Sequence, residues 1–103
     1  MGLESIILRD VLDYLELRNI PANRTNAGKV RIGGRYIKLG KTGWPDVTCC
    51  LPPHGFFLGL EIKKPGEELS GVQEKVKYDI EQAGGTVLVV SSVQELNEIL
   101  KER

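Results

Sequence analysis

Zinc ligands are scarce in this sequence: there is one histidine, His54, and the two cysteines, Cys49 and Cys50, are adjacent. Structural zinc takes four nitrogen or sulfur ligands, with its cysteines spaced along the chain, so no such site is expected. Neighbouring residues on a strand point to opposite faces. Cys49 and Cys50 therefore read as plain buried or half-buried thiols, in keeping with a reducing cytoplasm. No apolar run approaches the ~18 residues that span a membrane. The opening Met1-Gly2-Leu3-Glu4-Ser5-Ile6 lacks the basic-then-apolar pattern of a signal peptide. It also lacks the Ser or Thr at its sixth position that myristoylation requires. No repeat, linker or low-complexity segment divides the chain, and a single domain over 1–103 is expected.

The most informative absence is acid. Net charge is zero, yet no Asp or Glu occurs between Leu17 and Pro45, where Arg18, Arg24, Lys29, Arg31, Arg35, Lys38 and Lys41 lie. A one-signed segment on a neutral chain fits a phosphate-facing surface. It fits a solvated basic hairpin without a partner equally well.

Apolar residues at three- and four-residue spacing (Ile7, Leu8, Val11, Leu12, Leu15) predict a helix over 3–18, ended by Asn19 and Pro21. A polar loop, Asn23–Gly28, leads to two strands, 29–32 and 35–39, turned by Gly33-Gly34. Further strands are expected over 46–51, 56–63 and 86–90. Helices are expected over 70–83 and from 92 to about 101, opened by capping boxes at Ser70–Gln73 and Ser92–Glu95. Strand 56–63, helix 70–83 and strand 86–90 form a βαβ unit, and the whole reads as a mixed sheet covered by helices.

The turn 52–55 between strands 46–51 and 56–63 carries the strongest functional signal. If it is symmetric, paired positions sum to 107, and Asp46 faces Glu61. Like charges directly opposite on a sheet are destabilising, and a shared proton or a divalent cation removes the repulsion. Alternation places Gly59, Glu61 and Lys63 on one face, with room beside Gly59. Hard oxygen ligands of this kind suit Mg²⁺ or Mn²⁺. An ordinary solvated strand face, with Asp46 capping a turn after Pro45, is the competing reading.

Pro45-Asp46 followed by Glu61-Ile62-Lys63 matches the PD-(D/E)XK nuclease pattern. The wider run is Gly43-Trp44-Pro45-Asp46, then Gly59-Leu60-Glu61-Ile62-Lys63-Lys64-Pro65-Gly66, then Leu69-Ser70-Gly71-Val72-Gln73. Together with Glu4 in the first helix and the Arg24–Gly28 loop, it resembles the virus-type replication-repair nuclease family, VRR-NUC, in its stand-alone form. Trp44 departs from the smaller residue expected there. The resemblance implies a restriction-endonuclease-like α/β fold, a mixed β-sheet flanked by α-helices with an α-β-β-β-α-β core. It implies a Mg²⁺- or Mn²⁺-dependent deoxyribonuclease in the cytoplasm of a bacterial cell or phage-infected host. Asp46, Glu61, the Ile62 carbonyl and Glu4 would hold the metal, Lys63 would be the catalytic lysine, and Gln73 would share cap and active-site roles. Arg24, Lys29, Arg31, Arg35, Lys38 and Lys41 would face DNA. The resemblance further points to a homodimer resolving four-way (Holliday) junctions, with Phe56-Phe57 and the final helix as candidate contacts. The alternatives are a nuclease for flap, other branched or duplex DNA, a non-catalytic DNA-binding module, and an adaptor for an acidic protein. His54 is expected to be exposed in its turn, Trp44 to pack in a core or interface, and Tyr36 and Tyr78 to pack rather than bind phosphate.

Overall fold

A computed structural model describes residues 2–25 and 28–102, the side chains of Lys29 and Lys38 excepted. The first apolar stripe folds into α1 (Leu3–Leu17), burying Ile7, Val11 and Leu15. Its end is a Schellman motif: Asn19 adopts φ 56°, its amide donates to the Glu16 carbonyl, and the Ile20 amide donates to that of Leu15. The middle strands are β4 (Val47–Leu51) and β5 (Phe56–Ile62), antiparallel, with Val47 opposite Leu60 and Leu51 opposite Phe56. Each pair sums to 107, so the expected register holds. After β5 come α2 (Gly71–Gln82), β6 (Thr86–Val90) and α3 (Val93–Lys101). β6 runs parallel to β5, completing the βαβ unit.

The sheet differs from expectation on one side. The polar stretch after α1 forms a short strand, β1 (Ala22–Arg24), which pairs antiparallel with the outer edge of β4. All of its residues are exposed, so it carries no apolar alternation to betray it. Backbone bonds hold it, extended by the Cys50 amide donating to the Pro21 carbonyl. Having taken that edge, β1 leaves the hairpin outside the sheet. β2 (Gly28–Ile32) and β3 (Arg35–Leu39) form a separate two-stranded ribbon. Gly33 and Gly34 both have positive φ, as the tight turn requires. The sheet order is β1-β4-β5-β6, and the core sequence of elements is α-β-β-β-α-β with α3 appended.

Helices cover both faces. α1 and α3 bury Val11, Leu15, Leu96 and Leu100 against Val47, Cys49, Leu58, Leu60 and Val90. On the other face Val76 and Ile80 of α2 pack with Val87, Trp44 and Phe57. Both caps are present, but the second is displaced. Ser92 Oγ accepts from the Glu95 amide, while the Glu95 carboxylate accepts from Ser91 rather than Ser92.

The room beside Gly59 is filled rather than open. A Cβ there would lie 2.6 Å from Cγ of Pro45, and Pro45 is fully buried. Gly59 thus lets Pro45 dock, which places Asp46 at the sheet. Gly59→Ala should lower stability by about 1–3 kcal/mol, as overpacking does. Urea unfolding should show the loss as a lower midpoint at unchanged slope.

Candidate active site

Three attachments deliver Asp46. Pro45 sits on Gly59, the Asp46 carbonyl accepts from the Thr25 amide (2.8 Å), and Asp46 Oδ2 accepts from the Ile62 amide (2.7 Å). Asp46 directly precedes β4, one step beyond the Val47–Leu60 pair, so the register aligns it with Glu61.

Among the described residues Glu61 is the one charged residue in the buried core, with no exposed surface. Neither Oε1 nor Oε2 has a hydrogen-bond partner. A buried carboxylate without partners is costly when ionised, and its pKa is pushed up to about 7. Burial is the main cause and the Asp46 carboxylate adds to it, while the Lys63 ammonium and the nearby Asp46 backbone amide, which falls short of a well-formed hydrogen bond, act in the opposite sense. Lys63 is fixed as β5 ends, its amide donating to the Val90 carbonyl.

A cavity of about 290 Å³ reaches Asp46 of this pair and is lined by Glu4, Ser5, Leu8, Arg24, Asp46, Ile62, Lys63 and Gln73. Gln73 closes the cap of α2: its Oε1 accepts from the Ser70 amide. With the carbonyl so used, its NH₂ is the end left to donate toward the cavity. Arg24, the last residue of β1, also lines it.

Glu4 lines this cavity, but its carboxyl group pairs with Glu67 instead of joining Asp46 and Glu61. The Glu67 hydrogen bond, burial and the Glu67 charge raise the Glu4 pKa, against the pull of Lys63 and Lys64. Glu67 is held below its ordinary value, chiefly by the Lys64 amide and then by Glu4. The sequence reading did not single out Glu67. Its signal was the Lys64-Pro65-Gly66-Glu67 turn, closed by Glu67 N–H to the Lys64 carbonyl and Lys64 N–H to Glu67 Oε1. Among the described residues no three Asp, Glu, His or Cys side chains converge as a ready metal cage. The two unpartnered Glu61 oxygens beside Asp46 nevertheless fit a divalent cation, which supplies what the protein does not.

Of the basic candidates, Arg24 reaches the cavity; Arg31, Arg35 and Lys41 are exposed, the first two on the ribbon. The side chains of Lys29 and Lys38, and residues Asn26 and Ala27 of the 24–28 loop, lie outside the described residues. Trp44 packs edge-on against Phe57, and His54 is exposed beside Phe56. Tyr36 and Tyr78 are exposed rather than packed, since the ribbon and the outer side of α2 give them nothing to pack on. Cys49 is buried, with its thiol pKa pushed to about 11 by burial and by its neighbour Cys50, which is exposed. A larger, mostly apolar depression between Ile20, Leu51, Pro52, Phe56 and Leu100 has no carboxylate in its lining.

No family model matches the sequence, and no curated protein matches it. Structure is more informative. A solved structure described as a VRR_NUC domain aligns with a TM-score of 0.73, covering 98% of this chain and 97% of its own, at 18% identity. The chain has the VRR_NUC fold. The VRR_NUC fold explains the sheet order and the helices on both faces, while the chemistry rests on the residues just described.

Glu61 also makes a prediction for the metal-free protein. Between its ordinary pKa of 4.5 and about 7 the unfolded chain releases a proton that the folded chain keeps, so stability falls as pH rises through that window and then levels. Glu61→Gln removes this penalty. The variant should gain on the order of 2–3 kcal/mol over the parent at about pH 8, with the gain vanishing near pH 4.5. Denaturant melts of both proteins across this range measure it.

Proposed function

We propose that this protein is a divalent-metal-dependent nuclease that hydrolyses DNA phosphodiesters. The observation that carries the reading is Glu61, buried without a partner and aligned with Asp46, which lines a cavity together with Lys63. Structural roles do not need such a group, and a solvated strand face does not bury one. Asp46 and Glu61 would hold Mg²⁺ or Mn²⁺, with the Ile62 carbonyl, and with Glu4 reaching the ion directly or through water. When bound, such an ion neutralises phosphate charge and lowers the pKa of a water.

The chain's own residues do the rest. Arg24 offers a planar fork for non-bridging phosphate oxygens at the mouth of the cavity. Lys63 presents a positive charge where negative charge grows during the reaction, inside a site walled by Leu8 and Ile62. Gln73 contributes a neutral donor whose orientation is set by the cap it closes.

For the substrate we favour branched DNA, four-way junctions foremost, cut by a homodimer. Two-fold symmetry of the protein would match that of the junction. Phe56, 60% exposed beside the apolar depression, supports a contact there, whereas Leu96 and Leu100 of α3 are core residues. Unpaired cysteines suit a cytoplasmic setting. A non-catalytic binding module of the same fold remains the second reading, and it gives the buried carboxylate nothing to do.

The deciding experiment is cleavage of single-stranded, duplex, flap and four-way DNA with Mg²⁺, Mn²⁺ or EDTA. Metal-dependent cutting is expected, strongest on the branched forms and absent with EDTA. Asp46→Ala, Glu61→Ala and Lys63→Ala should each lower the rate by at least about 100-fold without unfolding. Gln73→Glu keeps the cap and removes the donor, so it should lose activity while retaining stability. Full activity in any of these variants removes that residue from the mechanism.

A further inference from the structure

The β2–β3 ribbon packs on no other helix or strand among the described residues. A two-stranded ribbon alone is marginally stable in water, and its composition points to what it meets. The register opposes Arg31 to Tyr36 on one face and Ile32 to Arg35 on the other. The Arg31 guanidinium sits 5.8 Å from the centre of the Tyr36 ring, and Tyr36 is 69% exposed. No acidic residue lies on the ribbon or within its flanks.

Its placement adds a second, independent observation. The chain leaves the body after Arg24, which lines the cavity, and returns to it at Asp46. The Thr25 amide bonded to the Asp46 carbonyl ties the two feet together. The ribbon is therefore rooted at the cleft itself. The molecule measures 48 × 34 × 27 Å with a radius of gyration of 14.3 Å, against about 13 Å for a compact chain of 100 residues, as fits an arm standing off the body.

We propose that this ribbon is an arm that enters the major groove of duplex DNA next to the phosphate held at the cleft. A major groove about 12 Å wide admits a two-stranded ribbon, and a minor groove about 6 Å wide does not. Five residues per strand extend roughly 17 Å, which spans about five base pairs at 3.4 Å each. The arm makes duplex beside the cut the recognised feature, with Arg31 and Tyr36 contacting it from one face and Arg35, at the turn end of the other face, completing the contacts. The choice of DNA rests on the nuclease reading above; the arm itself is tested without cleavage.

The full chain is titrated into a guanine-containing 20-base-pair duplex in EDTA, with fluorescence anisotropy for affinity and dimethyl sulfate for guanine N7 exposure. Wild-type protein should protect N7 over about five base pairs. Arg31→Ala/Arg35→Ala/Tyr36→Ala should bind at least about 10-fold more weakly near 0.1 M salt, with a salt slope shallower by about 2, and should lose the protection. Arg31→Lys/Arg35→Lys keeps the charge and should retain most of the affinity, which a collapsed ribbon would not. Absence of N7 protection by wild-type protein overturns the proposal, as does protection that survives the triple variant. The opposite face, with Val30, Ile32, Ile37 and Leu39 exposed, supplies the rival. If Ile32→Ser/Ile37→Ser shifts the sedimentation coefficient while the triple variant leaves N7 protection intact, the ribbon joins copies of the chain and the arm is refuted. Wild-type protein that protects N7 but never cuts with Mn²⁺ would defeat the nuclease reading and leave the arm standing.

Discussion

Burying one carboxylate without a partner is the constraint around which this molecule is arranged. Glu61 lies on the central strand β5, covered on both sheet faces, and neither of its oxygens finds a donor. Its neighbour Asp46 makes matters worse electrostatically, yet the protein invests several contacts in keeping Asp46 there. Gly59 makes way for Pro45, Thr25 binds the Asp46 carbonyl, and Ile62 binds its side chain. Packing that secures a repulsion is explicable when a cation completes the set.

From that centre the layers follow. The helices α1 and α3 shield one face of the sheet and α2 the other, so β5 is buried from Leu58 to Ile62. The cap of α2 does two jobs, opening the helix and fixing Gln73 beside the cavity. The same edge strand that carries Arg24 to the cleft excludes the basic ribbon from the sheet and roots it beside Asp46. Core, site and arm are thus parts of one topological choice, the pairing of β1 with β4.

Much of this was legible in the residues. Ile7, Val11 and Leu15 announced α1 by spacing, and Gly33-Gly34 announced the ribbon turn. The four-residue turn at 52–55 predicted the register that aligns Asp46 with Glu61, and the VRR-NUC resemblance named the fold that the solved VRR_NUC domain shares. The features that stayed hidden depend on backbone bonding or on distant side chains. β1 is held by main-chain bonds that any sequence makes. The filling of the Gly59 gap needed Pro45 to arrive from another strand. The pairing of Glu4 with Glu67 joins residues 63 positions apart, and Glu95 reaches one residue further back than its spacing implied.

Calorimetry of Mn²⁺ binding to the intact protein, run in buffers of different ionisation enthalpy, tests the central claim most directly. Glu61 keeps its proton up to about pH 7, and a metal ligand must give that proton up. Binding should therefore release about one proton at about pH 6 and almost none at about pH 8. Failure to bind Mn²⁺ at either pH, or binding with the same proton count at both, would contradict the account.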